Sequence, residues 1–377
     1  MKVAPSLFCA AFLLGSSLSA APAMQAANAA APPALATALA FSTYLPNRLG
    51  RIFSAAAVAV DRSGSLYVTG ATAAPFDNFP FPGPQTPFVM KLSPQGEVLY
   101  TTIFPGTGTS SATAIAVNDR GEVAIAGYAA GNLPQIGGLA PAFRGSGYEA
   151  FTAKLGAGGE ILYSTTLGGA HRELAWGVDM DPNGAIYVTG ETGSPDFPQV
   201  GPLPLPRGAA EDVFLVKLVP GSPQPAWSLA FGGAERDQPE DLAVDAAGRS
   251  YLTGYTVSAD FPTVNALQPE HAGGLDAFAV SLGAGGGQAI YSTFLGGSGD
   301  DSGLGLDLGA AGVAWIGGLT GSDDFPLADP FQAALQGGHA DGFVAGLSAA
   351  GALVFATYLG GAGIDYVTDL AVGRSGL

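Results

Sequence analysis

Four carboxylates fall on one beat: Glu173, Asp237, Asp301 and Asp365 stand 64 residues apart. Each lies six residues beyond the closing Leu or Phe of an aromatic-Ser-Thr-rich run, and Arg51 and Ser110 hold the same place in two earlier copies. If these positions converge, they offer oxygen ligands in an arc, which is the chemistry of a weak site for a hard cation such as Ca²⁺. The plainer alternative is that each carboxylate is a solvated loop charge or caps its own turn.

Other fragments carry less. Asp179-Met-Asp181-Pro-Asn183-Gly184 imitates the start of an EF-hand loop, but its twelfth position is Gly190, where a bidentate Glu is required. Gly360-Gly-Ala-Gly-Ile-Asp365-Tyr-Val367 fits a calcium nonapeptide once, whereas that motif works by immediate tandem stacking. His171, His271 and His339 share no repeat position and have no cysteine partners in a metal-ligand spacing. No G-x-S-x-G elbow, P-loop, HExxH or S-x-D-x-G-x-T-W box is present, so no catalytic residues are assigned. Asp300-Asp301 and Asp323-Asp324 could serve acid–base work only if the fold brings two units together. Trp176, Trp227 and Trp315 fall on or beside repeat positions and read as core.

These residues must be positioned by short strands. With 57 Gly, 28 Pro and 12% charged residues in 377, the chain is turn-rich and sparsely charged, yet too rich in Val, Phe and Tyr for disorder. The fifth residue of each aromatic run is Leu45, Phe104, Leu167, Phe231, Leu295 and Leu359, in steps of 59, 63, 64, 64 and 64. Three further segments keep the beat. One ends at Asp61, Asn118, Asp181 and Asp245, another is typified by Tyr187-Val-Thr-Gly190, and the third begins at Phe88, Phe151, Phe214, Phe278 and Phe343. Apolar residues alternate along each, as in strands. Asp61-Arg-Ser-Gly64, Asp181-Pro-Asn-Gly184 and Asp245-Ala-Ala-Gly248 are hairpin turns by composition. Asp196-Phe-Pro198, Asp260-Phe-Pro262 and Asp324-Phe-Pro326 end the second strand and place an aromatic ring in the gap between units.

Four antiparallel strands per unit, five times over, predict an all-β fold of propeller blades, with an incomplete sixth blade. The run YSTxLGG, AVDxxGxxYVTGxT, DFP and DAFVxKL resembles the SBBP repeats (bacterial β-propeller repeats) of exported proteins, over residues 39–377. The second unit departs most, with Ala124-Ile-Ala-Gly127 and Asn132-Leu-Pro134. The resemblance implies an exported scaffold and carries no catalytic residues.

Residues 1–23 read as an export signal: Lys2, the apolar run Leu7–Leu14, and Ala21-Pro-Ala23 for cleavage. Residues 24–38 are an Ala/Pro-rich linker. Cleavage would remove Cys9, leaving a chain without disulfides. A net charge of −17 disfavours nucleic acid, and no stretch is long enough to span a bilayer. Phe41–Leu45 and Asp369–Leu377 read as outer and inner strands of one further blade, so the chain is expected to belong to a longer protein. The leading functional expectation is a secreted or cell-surface scaffold, or a periplasmic one, that binds an extracellular protein or glycan. The alternatives are a polysaccharide hydrolase or lyase using carboxylates from several blades, and a structural spacer of an adhesin.

Overall fold

The computed structural model describes residues 52–73, 84–137, 147–202, 205–208, 210–222 and 224–373. The export signal, the linker, Arg51 and the Phe41–Leu45 strand lie outside them.

Five four-stranded antiparallel sheets follow one another along the chain, each in the order first-second-third-fourth strand. Blade one holds β1 (Ile52–Val60), β2 (Leu66–Ala73), β3 (Thr86–Leu92) and β4 (Val98–Ile103). Blade two holds β5 (Thr109–Val117), β6 (Val123–Ala130), β7 (Glu149–Leu155) and β8 (Ile161–Leu167). Blade three holds β9 (Glu173–Met180), β10 (Ile186–Thr192), β11 (Asp212–Leu218) and β12 (Trp227–Phe231). Blade four holds β13 (Asp237–Val244), β14 (Ser250–Thr256), β15 (Asp276–Leu282) and β16 (Ala289–Leu295). Blade five holds β17 (Asp301–Leu308), β18 (Ala314–Thr320), β19 (Asp341–Leu347) and β20 (Leu353–Leu359). The first strands touch in succession, β1 to β5 to β9 to β13 to β17, so they form the inner wall.

Asp365–Gly373 enters like a first strand, with Asp365 N–H donating to Ala340 O as Asp301 N–H does to Leu275 O. It acquires no strand pairing among the described residues, because no second strand lies beside it there. No helix among the described residues is long and apolar enough to cross a membrane.

The expected turns form as written. Asp61 Oδ1 accepts from Ser63 N–H and Ser65 N–H, and Gly64, in the left-handed region at φ 80°, closes the turn on Asp61 O. Burial works against its charge, yet those donors with the Ser63 and Tyr67 hydroxyls hold Asp61 at about 2. The Gly of each Tyr-Val-Thr-Gly run has another cause. Every first strand is irregular opposite it, as between Pro239 and Asp241 facing Gly254. A Cβ on Gly70, Gly127, Gly190, Gly254 or Gly318 would meet a first-strand carbonyl oxygen at 2.0 Å.

The apolar core lies between sheets rather than within one. Ala124, Tyr163 and Leu167 of blade two pack with Val178, Val188 and Phe214 of blade three. Trp227 and Phe231 of blade three pack with Leu252, Phe278 and Phe294 of blade four, and blades four and five close likewise on Phe343 and Tyr358. The Asp-Phe-Pro rings plug these junctions as expected: Phe261 lies 4.9 Å from Phe278, 6.0 Å from Phe294 and 6.1 Å from Phe231 of the preceding blade. Trp227 is buried at the same junction, edge-on to Tyr187 at 5.8 Å.

Candidate functional site

One end of the blades is built from the loops joining a fourth strand to the next first strand. At the blade three–four junction, three successive N–H groups are held. Gly233 donates to Asp237 Oδ2 (2.7 Å), Ala234 to Asp260 Oδ1 (2.8 Å) and Glu235 to Ser258 Oγ (3.0 Å). The set recurs in the preceding junction as Gly169, Ala170 and His171 on Glu173, Asp196 and Ser194. It recurs in the following one as Gly297, Ser298 and Gly299 on Asp301, Asp324 and Ser322. Gly361 N–H binds Asp365 Oδ2 at 2.7 Å.

The four carboxylates singled out by spacing are therefore loop caps, and Glu173, Asp237 and Asp301 are fully buried. Among the described residues, no three His, Cys, Asp or Glu side chains are grouped to hold a metal ion together. Three of the four carboxylates instead face a carboxylate from the preceding third strand: Glu149 with Glu173, Asp212 with Asp237, Asp276 with Asp301. Burial, with the neighbouring carboxylate adding to it, pushes Glu173 up to about 7 and Asp237 to about 6, against the hydroxyl and amide donors. Burial likewise raises Asp301.

The clamping Ser and Asp of Ser-x-Asp-Phe-Pro were not assigned from sequence, although Ser194, Ser258 and Ser322 keep the 64-residue beat that could have found them. Removing the clamp by Asp260→Ala frees Ala234 N–H at the surface. The expected cost is about 1 kcal/mol, read as faster amide exchange at Ala234 with the β14 amides still protected.

A second set of carboxylates stitches the inner wall. Asp179 Oδ2 accepts from Val244 N–H, Asp241 Oδ2 from Leu306 N–H (both 2.7 Å) and Asp307 Oδ2 from Val372 N–H (2.6 Å), each reaching the next first strand. Burial raises Asp179 to about 7 and Asp241 to about 8, outweighing two backbone donors each, and the wall aspartates repel one another. Glu191 of blade three bridges Arg172 (2.9 Å) and Arg236 of blade four (2.8 Å). Tyr255 OH donates to Gln238 Oε1, whose amide donates to Glu240, itself raised by burial to about 7.

Five four-stranded antiparallel sheets follow one another on a repeat of about 64 residues, and residues 226–262 match the SBBP β-propeller repeat family. The chain carries an SBBP β-propeller repeat. The matched stretch of the SBBP repeat runs from β12 through the clamped loop and β13 to the Asp-Phe-Pro loop, so it contains Asp237, Asp241, Ser258 and Asp260. The chain is also similar to regulatory protein FlaEY of Caulobacter vibrioides, 26% identical over 354 residues, 86% of this chain. It spans 36% of that relative's length. Among solved structures it is similar to the Neurospora crassa Pan2 WD40 domain (10% identity, 85% of this chain and 83% of that one, TM-score 0.43). A europium-containing methanol dehydrogenase is similar at 10% identity, 83% of this chain, 74% of that one and TM-score 0.34.

Proposed function

We propose that the chain is an exported β-propeller scaffold whose clamped loop face binds an extracellular protein or glycan. The observation that carries this reading is a constant backbone bearing changing side chains. The same three N–H groups are held at each junction, while the tips read Ala170-His171-Arg172, Ala234-Glu235-Arg236 and Ser298-Gly299-Asp300. A rigid frame presenting varied, exposed loop residues is how scaffolds separate stability from recognition. FlaEY carries a regulatory name, which agrees with acting through a bound partner. Export rests on Lys2, Leu7–Leu14 and Ala21-Pro-Ala23.

Two measurements test it. N-terminal sequencing of the protein from its native host should begin near Met24; intact Met1 on cytoplasmic protein overturns export. The purified chain should be retained on envelope or capsule fractions. His171→Ala/Glu235→Ala should lose that retention at least tenfold with an unchanged melting temperature. Retention indifferent to the tips overturns the binding face.

A further inference from the structure

The first Gly of each Leu-Gly-Gly or Phe-Gly-Gly run, at 168, 232, 296 and 360, is not in the left-handed region, so backbone freedom does not explain it. Space does. A Cβ on Gly296 would lie 2.7 Å from Asp301 Oδ2 and 2.8 Å from Asp276 Oδ1, and Gly168 and Gly232 face their own carboxylate pairs at 2.3–2.5 Å. The junctions at Gly168, Gly232 and Gly296 therefore each cradle two buried carboxylates over a bare glycine.

What neutralises the pair differs by junction. Between blades three and four, Arg207 Nε binds Asp212 Oδ2 at 2.7 Å and Gly208 N–H binds Asp212 Oδ1 at 3.2 Å, so both oxygens are occupied and a cation is built in. Arg207 stands five residues ahead of Asp212. At the blade four–five junction the residue five ahead of Asp276 is His271. Its Nε2 is buried without a hydrogen-bond partner, and it favours the charged form of Asp276 only through space, without a direct bond. Ala272 N–H occupies Asp276 Oδ2 at 2.7 Å, but Asp276 Oδ1 is fully buried, accepts no hydrogen bond and points into the Gly296 cradle. Asp301 Oδ2, held by Gly297 N–H and Ser322 Oγ–H, faces it across that glycine, no more than about 5.5 Å away.

We infer that the Asp276–Asp301 cradle over Gly296 is a binding site for a hard divalent cation of the Ca²⁺ class, supplying the positive charge that Arg207 supplies beside Asp212 one junction earlier. Two opposed carboxylates supply the charge such an ion requires, and the rest of its oxygen shell would come from water. The site is a single inter-blade junction rather than an arc around the axis. It lies under the loop face and adds to the binding role above without depending on it.

The test uses the whole chain, stripped with chelator. Two millimolar CaCl₂ should raise the melting temperature by about 3 °C over NaCl of equal ionic strength, as binding to the folded state alone dictates. Equilibrium dialysis with radioactive calcium should give one ion per chain. Asp276→Asn, which keeps the side chain's shape, should remove both effects. His271→Arg should restore the guanidinium found at Arg207, raise the calcium-free melting temperature and abolish calcium binding, while Asp212→Asn should bind calcium as wild type does. Equal shifts in the two salts, or a calcium response surviving Asp276→Asn or His271→Arg, overturns the site. A pair that shares a proton would stabilise on acidification with no calcium shift, and that result overturns it too.

Discussion

Phe261→Ala should destabilise the protein by about 3–5 kcal/mol, the range for emptying a buried aromatic site. Phe261 stacks on Phe278 of its own blade and reaches Phe231 of the preceding one, so its loss opens a cavity at the junction rather than inside a sheet. Sheets that share cores only with their neighbours depend on those junctions for cooperativity. Denaturant unfolding of Phe261→Ala should therefore broaden or split, with blades four and five separating from blades one to three. Phe331→Ala, at a ring 90% exposed, should change stability by less than about 0.5 kcal/mol. A loss at Phe261 no larger than at Phe331 would show that the junctions do not hold the blades together.

Stability should fall as pH rises from about 5 to 9. Asp179 and Asp241 titrate near 7 and 8 in the folded wall, against about 3.9 when unfolded. Between those values the folded chain binds more protons than the unfolded one, so each rise in pH favours unfolding. Below about pH 4 both states are protonated and the penalty is absent. At about 1.4 kcal/mol per pKa unit, Asp241 alone weakens the fold by roughly 3–5 kcal/mol across the range, less what water in the wall screens. Glu173, Asp237 and Glu240 act in the same direction. Asp241→Asn keeps an acceptor for one of the two backbone amides and removes the charge. The difference between melting temperatures at pH 5.5 and 8.5 should be several degrees in wild type and clearly smaller in this variant, the remainder coming from Asp179 and the other raised carboxylates. A wild-type protein more stable at pH 8.5 would reverse the assignment.

Calcium and pH act on neighbouring carboxylates with opposite demands. A cation at Asp276–Asp301 needs both groups ionised, so calcium stabilisation should grow with pH while the wall weakens.

Everything within a few residues was legible in the sequence. Asp181-Pro-Asn-Gly184 makes its turn because the carboxylate and the left-handed glycine are a local matter, and Gly184 N–H duly binds Asp181 O at 2.8 Å. Period-two alternation marks the strands, although β7, β10, β12 and β15 are buried at every position once sheets cover both faces, and the 64-residue beat marks the like units. The same beat marked Glu173, Asp237, Asp301 and Asp365 as equivalent, and placed Phe261 between blades.

Only the tertiary structure decided what those carboxylates face. Asp237 is capped by a loop four residues back, but its partner Asp212 and the clamp Asp260 come from elements more than twenty residues away on either side. Asp241 reaches Leu306 N–H, 65 positions on, because neighbouring first strands are laid edge to edge in the wall. Local chemistry writes a strand and its turn, since hydrogen bonds and side-chain periods act over a few residues. Charge state is different: it depends on the burial and the opposing groups that arise once one blade is stacked on the next.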